Sequence, residues 1–363
     1  MKYPGEPGSG ELAGISQLLT DNTFVAMPLI IPFFIHHRGC PHRCLFCNQL
    51  SIGGRNSGDA ADPAAAVGRT IEQWLDRSAS NYDTVQVAFF GGSFTCLEEK
   101  LQHELLAAVD PFIRKGRVDS IRLSTRPDCL SDAICEFLVS AGVETVEIGA
   151  QSLNEQVLAR AQRGHTAGDI ERAVQLLAAN GLQTGVQLMA GLPGETTRSF
   201  MDGIKRVVEL SPDLVRIYPT LVLKDTELAN LYQQSSWRPL SLERAVSLCT
   251  WAYDLLAANS IKVIRMGLQP GAELEKQLIA GPYHPAFGEL VISRSWYLKI
   301  RRLLLHAGVG RVLTLTVSTK DVSALIGDKR KNIQRLENLA YGARLQVATD
   351  AALSRGQFHY AVS

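Results

Sequence analysis

Between residues 24 and 269 one alternation keeps returning: a short apolar, β-branched run, then a longer stretch whose apolar residues recur three and four positions apart. The runs are VAMPLIIPFFI (25–35), TVQVAFFGG (84–92), SIRLSTRP (120–127), TVEIGAQS (145–152), TGVQLMAGL (184–192), LVRIYPTLVL (214–223) and KVIRMGLQ (262–269). The helical stretches between them include LQHELLAAVDPFI, DIERAVQLLAANG and FMDGIKRVVEL, the second closing on Asn180-Gly181 as a helix end should. Strand, helix, strand repeated with right-handed crossovers makes a parallel sheet that closes wholly or partly into a barrel. The expected fold class is therefore α/β, a partial (β/α) barrel, with its chemistry at the carboxyl ends of the strands.

The pattern breaks at AGPYHPAFGE (280–289), where Gly and Pro cluster. Beyond it, an amphipathic helix LVISRSWYLKIRRLLLH, a strand RVLTLTVS, a helical stretch KDVSALIGDKRKNIQRLENLAYG and a strand ARLQVATD predict a small α/β appendage. Three segments are expected: an N-terminal extension (1–23), the barrel (24–285) and a basic C-terminal region (286–363). Residues 51–66, rich in Gly, Asn, Asp and Ala, read as a long surface loop.

Composition narrows the functional classes. At 363 residues and 46% hydrophobic, the chain has enough apolar material for one barrel-sized core or two ordinary ones. The first twenty residues carry Gly, Pro and Glu where a secretory signal needs an unbroken apolar region. The longest apolar run, FVAMPLIIPFFI, is 12 residues with two prolines, short of the roughly 20 that cross a bilayer as a helix, so no membrane partner is expected. Seven cysteines, an odd number in a long chain, fit a reducing cytoplasm better than a disulfide framework. Net charge is only +1, yet residues 290–363 hold 12 Lys/Arg against 4 Asp/Glu and the remainder is acidic. A basic end on an acidic body points to a polyanionic partner or to a solvated basic face.

The first apolar run leads directly into GCPHRCLFCNQ (39–49), with Cys40, Cys44 and Cys47 spaced C-x3-C-x2-C. Three thiolates from one loop can converge on one centre, and soft thiolates suit zinc or an iron–sulfur cluster. A closed structural zinc site would need a fourth ligand, from His36, His37 or His42. A four-iron cubane held by three cysteines keeps one iron available to a ligand.

The spacing resembles the radical S-adenosylmethionine (SAM) superfamily, whose usual motif C-x3-C-x-aromatic-C is matched by Cys40, Cys44, Phe46 and Cys47. That resemblance implies a [4Fe–4S] cluster on the three cysteines and SAM as cofactor. The cluster passes an electron that cleaves the sulfonium to a 5′-deoxyadenosyl radical, and the protein directs that radical at one C–H bond. It also implies an external electron donor of the flavodoxin or ferredoxin type and places Phe46 against the adenine ring.

Further motifs extend the likeness from about residue 28 to 295: FFGGSF, STRPD, EIGAQS, RGHT, GVQLMAGLPGET and RMGLQP. As an ordered set they resemble the subgroup containing the Elongator catalytic subunit and oxygen-independent coproporphyrinogen oxidase. By that resemblance Gly91 and Gly92 meet the SAM amino group through main-chain carbonyls, Ser93 standing where relatives carry an acid. Gln151 and Arg163 contact SAM, Arg163 pairing with its carboxylate. Ser124 and Gln187 occupy positions where porphyrinogen-type relatives carry acids, which counts against coproporphyrinogen chemistry here. On the residues alone, the glycine pair reads most often as a turn, the two glutamines as satisfied polar groups inside a barrel, and Arg163 as an ordinary surface arginine. Cys96, Cys129, Cys135 and Cys249 are given no role, the last three reading as small buried hydrophobes.

Within the basic region, SALIGDKRKNIQRLENLAYGARLQV resembles a KH-type RNA-binding element, here degenerate and set at 320–350. Gly327 fits a Gly-x-x-Gly turn, and Lys329, Arg330 and Lys331 supply charge, but Arg330 fills the second glycine's place and Asp328 adds an anion. The expectation is a cytoplasmic radical SAM enzyme with RNA, tRNA in particular, as candidate substrate. The Elongator subunit also carries an acetyltransferase domain, for which this chain is expected to have no room, so the same overall modification is not assumed. Two rivals are a radical SAM enzyme acting on a small molecule such as a tetrapyrrole, and a zinc-stabilised RNA-binding protein without redox chemistry.

Overall fold

Seven strands lie side by side in the order in which they occur along the chain. They are β1 (Leu29–Phe34), β2 (Val85–Phe90), β3 (Ser120–Thr125), β4 (Val143–Gln151), β5 (Gln183–Ala190), β6 (Leu214–Pro219) and β8 (Lys262–Met266), all neighbours parallel. The computed structural model describes residues 28–35, 38–48, 62–78, 82–339 and 343–363. The expected N-terminal extension, most of the expected loop at 51–66, and His36 and His37 lie outside the described residues, while α1 (Pro63–Arg77) already begins within that loop's expected bounds.

Each of the seven apolar runs contributes one strand to this sheet, because a parallel pair needs a crossover and every run but the last is followed by chain long enough to supply it. The crossovers carry α2 (Glu99–Ala107), α3 (Asp110–Arg114), α4 (Asp132–Ser140), α5 (Glu155–Arg160), α6 (Ala167–Ala179) and α7 (Thr197–Leu210). Local chemistry sets their ends. Ser131 caps α4 by accepting from Ile134 N–H, and Thr166 with Asp169 forms a capping box on α6, which closes at Asn180 and Gly181 (φ +72°).

The two faces of the sheet differ. Ile31, Phe33, Val87, Phe89, Ile121, Leu123, Val146, Ile148, Val186, Leu188, Val215 and Ile217 belong to one buried apolar core. The alternate positions Phe34, Phe90, Ser124, Gly149, Gln187, Arg216 and Tyr218 stay partly exposed. Parallel sheets are normally apolar on both faces. A half-open polar face on this one leaves room for a ligand.

The run at 214–223 yields two strands rather than one. Pro219 closes β6, and Thr220 donates its N–H to Ala190 O at 2.9 Å as the chain turns into β7 (Val222–Leu223). There follow α8 (Glu227–Gln233), α9 (Leu242–Ala258), α10 (Ala272–Gln277) and β9 (Leu278–Ala280), which pairs antiparallel with β7. Three-residue β9 has no alternation long enough to be read in sequence.

The described chain divides into two compact units between Arg294 and Ser295, inside α11 (Phe287–Ala307), so the Gly/Pro-rich stretch at 280–289 falls within the first. The second unit contains β10 (Val312–Ser318), α12 (Val322–Ile326), α13 (Lys331–Leu339), β11 (Arg344–Asp350) and β12 (Phe358–Val362). Here β10 is central, parallel to β11 and antiparallel to β12. The single helical stretch expected over 320–342 breaks at Gly327 (φ +74°), and Lys329 and Arg330 follow at φ +50° and +63°. Buried Asn332 ties the two helices, donating to Ala324 O and Leu325 O at 3.3 and 3.2 Å. No helix among the described residues is long and apolar enough to cross a membrane.

Phe89 is fully buried between the rings of Phe33 and Phe94, at centroid distances of 5.8 and 5.1 Å. Phe89→Ala should therefore cost about 3–5 kcal/mol of stability, seen as a lower denaturant midpoint at unchanged slope.

Candidate metal and cofactor centre

The cysteine loop leaves the carboxyl end of β1 and is stitched to three neighbours through backbone hydrogen bonds. Ser93 N–H donates to Arg38 O at 3.0 Å, Leu45 N–H to Ala161 O at 3.2 Å, and Leu228 N–H to Leu45 O at 2.9 Å. Two glycines make this packing possible. A β-carbon on Gly92 would lie 2.5 Å from Arg38 O and 2.6 Å from Ile35 O, and one on Gly39 (φ +73°) 2.2 Å from Ser93 O. The bare backbone at 92, expected to approach a cofactor, is thus in contact with the cysteine loop itself. Gly91, at φ +87°, turns the chain out of β2.

Cys40, Cys44 and Cys47 take part in no disulfide and are partly exposed. Burial pushes the Cys47 thiol up to about 12, with Cys44 and Cys40 adding to the effect, while Arg163 and Arg43 pull the other way. Arg163 also donates through Nη1 to Cys44 Sγ at 2.8 Å. Cys47, with two further thiols and two cations beside it, belongs to a soft donor set of the kind that a positively charged metal centre holds. Cys44 and Cys47 open, with Arg43, Gln162 and Lys224, onto a cavity of about 520 Å³. Among the described residues no group of three or more His, Cys, Asp or Glu is gathered as a single ion requires. His42 packs instead over Gly164, where a β-carbon would meet its ring at 2.2 Å.

The structure brings together several of the other residues singled out in the sequence. Arg163 is buried, and its Nη2 donates to Gly149 O. Gln187 Nε2 donates to Gln151 Oε1 at 3.2 Å. Gln151 lies at a register shift in β4 with φ +68°, a left-handed backbone worth of order 1–3 kcal/mol in strain for a non-glycine residue, which is tolerated where its position serves a site. Phe46 packs against Val157, Ala161, Met189 and Leu192. Ser124 is partly exposed on the concave face, opposite Glu147 in register.

Of the supports, sequence reading singled out Ser93 and missed the rest. Arg126 bonds Asp128 through both Nε and Nη2 at 2.9 Å, and its Nη2 also donates to Arg163 O at 2.7 Å. Buried Ser93 lies 3.1 Å from Thr125 Oγ1 and accepts from Arg126 N–H at 3.1 Å. Lower on the concave face, Glu147 pairs with Arg216 at 2.7 Å and Arg122 at 3.3 Å. The Glu147 pairs join strands far apart in sequence and leave no local signal, whereas Arg126 and Asp128 sit together in the STRPD motif. Cys96 and Cys129 require a correction. They form a disulfide, and Cys129 is partly exposed rather than a small buried hydrophobe, whereas Cys135 and Cys249 are buried free thiols.

His165 beside this network is buried, and desolvation, then Arg163 and Arg126, bring its pKa down to about 4. The unfolded chain takes up a proton that the folded chain refuses, so His165 should withdraw stability as pH falls from about 6.5 toward 4, and no further below. His165→Gln should flatten stability against pH across that window in denaturant titrations. Separately, Gly92→Ala should cost about 1–3 kcal/mol, since backbone oxygens on both sides cannot yield, and should speed alkylation of Cys40 in the native chain.

Comparison with known proteins agrees with the fold. Residues 34–207 match the model of the Radical SAM superfamily, and residues 212–296 that of the Radical_SAM C-terminal domain. A tRNA uridine(34) acetyltransferase of Methanocaldococcus infernus is 27% identical over 254 residues, covering 60% of this chain and 47% of that protein. The heme chaperone HemW of Lactococcus lactis is 23% identical over 244 residues, covering 66% of this chain and 62% of its own. The chain thus spans about half the length of the acetyltransferase it matches. In three dimensions the archaeal Methanocaldococcus infernus Elp3 with an N-terminal deletion aligns with a TM-score of 0.61 at 22% identity, over 77% of this chain and 64% of that one, which establishes the shared fold. With both matched segments falling on the seven-stranded sheet and its cysteine loop, the chain belongs to the radical SAM superfamily of enzymes.

Proposed function

We propose that this enzyme holds a [4Fe–4S] cluster on Cys40, Cys44 and Cys47, binds SAM along Gly91, Gly92, Ser124, Gln151, Arg163 and Gln187, and acts on RNA, tRNA in particular. The observation that carries the reading is a cluster of three thiols, Cys44 among them bonded by the buried Arg163 guanidinium, at the carboxyl edge of a parallel sheet whose concave face is half open. When bound, the cluster supplies the electron that cleaves SAM to a 5′-deoxyadenosyl radical. The chain's own residues bind and orient. Arg163 sets a positive charge beside the thiolates and is suited to a carboxylate, the paired amides of Gln151 and Gln187 offer both donors and acceptors, and Phe46 presents an apolar face.

RNA is supported by the name of the acetyltransferase relative, the +8 balance of residues 290–363, and the exposed Lys329, Arg330 and Lys331 on a turn between two helices. A cytoplasmic setting and a flavodoxin- or ferredoxin-type donor complete the proposal. The chaperone relative favours a tetrapyrrole as the rival ligand.

Anaerobic reconstitution should give brown protein with about four irons per chain that releases 5′-deoxyadenosine on reduction, and Cys→Ala at any of the three positions should abolish this. A colourless protein containing one zinc would overturn it. Crosslinking to cellular RNA should fall in a Lys329/Arg330/Lys331→Gln variant, and the salt dependence of RNA binding should become shallower by about three phosphate contacts. Unchanged crosslinking together with tight tetrapyrrole binding would transfer the reading to the small molecule.

A further inference from the structure

The disulfide between Cys96 and Cys129 joins residues 33 apart, just beyond the carboxyl ends of β2 and β3. Cys96 closes the 3-10 turn Phe94–Cys96 and Cys129 closes the turn Pro127–Cys129. Each turn carries one support of the metal centre. On the Cys96 side, a β-carbon on Gly39 would lie 3.1 Å from the Cys96 carbonyl carbon and 3.0 Å from Leu97 N, so the residue before Cys40 rests directly on this turn. On the Cys129 side, Asp128 orients Arg126, and Arg126 holds the backbone carbonyl of Arg163, the residue that reaches Cys44. Ser93 Oγ links the two sides, 2.9 Å from Cys96 Sγ and 3.1 Å from Arg126 N.

The other cysteines outside the loop differ. Cys135 and Cys249 are fully buried, which keeps them inert. Cys96 and Cys129 are both partly exposed, and an accessible disulfide is of the kind that exchanges with solution thiols.

We propose that Cys96 and Cys129 are a redox-modification site, a dithiol–disulfide pair whose state sets how firmly the platform beneath Cys40 and Arg163 is held. The exchange partner is a disulfide of the glutathione class. The thiolate of one cysteine attacks it to form a mixed disulfide and expels one glutathione thiolate. The second cysteine then displaces the other glutathione. The pair loses two protons and two electrons, and one glutathione disulfide becomes two thiols. Closing the bond removes conformational freedom from both turns, so local openings that release the Cys44 thiol from Arg163 become rarer.

The inference needs neither iron nor SAM, so its failure and that of the proposed function are separable. The full chain, freed of metal, is equilibrated anaerobically in buffers of graded reduced and oxidised glutathione. Samples are quenched with acid and mapped by alkylation and peptide mass spectrometry. Cys96 and Cys129 should pass together from alkylated to crosslinked in one two-electron transition, while Cys135 and Cys249 stay reduced. After removal of glutathione, native-state alkylation of the remaining free Cys44 should be about threefold or more slower in the crosslinked chain than in the dithiol chain. A Cys96→Ser/Cys129→Ser variant, taken through the same buffers, should label Cys44 at the dithiol rate throughout. Independent alkylation of Cys96 and Cys129 at every ratio, or a Cys44 rate that does not differ between the two states, would overturn the proposal. So would a variant in which oxidised glutathione slows Cys44 just as it does in the parent chain, since Cys44 itself would then be responding.

Discussion

A backbone-to-backbone contact underlies the centre: the loop after β1 lies against the turn after β2 with no side chain between them. Gly92 faces the carbonyl oxygens of Ile35 and Arg38, Gly39 faces that of Ser93, and Ser93 N–H bonds Arg38 O. A methyl group at either glycine would force the two loops apart. Parallel pairing of β1 and β2 in full register, from Leu29 opposite Val85 to Phe34 opposite Phe90, delivers both loops to the same edge at the same height. The contact therefore converts sheet register into the position of Cys40.

A second tier of support is polar and reaches across more of the sheet. The loop after β3 supplies Arg126 and Asp128, the bulged end of β4 supplies Gln151 and the Gly149 carbonyl, and the chain beyond α5 supplies Arg163. Burying these charged groups is costly unless each is paired, and each guanidinium here has several partners. Removing one member would leave others uncompensated, so the network favours one arrangement over near alternatives. Its polarity, together with the Glu147 pairs to Arg122 and Arg216, is what keeps the concave face from collapsing into a second apolar core.

Much of this was readable in the chain before its fold was known, for reasons that differ between elements. The seven sheet strands were legible because β-branched runs separated by helical periodicity admit few topologies, and the helix ends because Ser131, Thr166 and Asn180-Gly181 act locally. Elements missed or merged have short-range signals too weak to register. These are three-residue β9 and terminal β12, whose partner is β10, whereas the turn at Gly327 was marked by its glycine even though Lys329 and Arg330 adopt left-handed backbone without being glycine. Within the centre, Cys40, Cys44, Cys47, Gln151, Arg163 and Gln187 were singled out from motifs, while Arg126, Asp128 and the Cys96–Cys129 bond were not. A pairing such as Cys96 with Cys129 depends on two loops being brought together by neighbouring strands, which residue spacing does not encode.

The amino-acid sequence by itself determined the alternation of strand and helix, the placing of three thiols directly after the first strand, and the charge split between the two ends of the chain. These depend only on residue type and short spacing. Tertiary structure alone decided what surrounds the thiols: which glycine yields to which carbonyl, that Arg163 reaches Cys44, that Gln151 meets Gln187, and that two further cysteines are joined. Those contacts form between strands and loops separated by 33 to 119 positions, and they exist because parallel register sets neighbouring strands and their ends side by side.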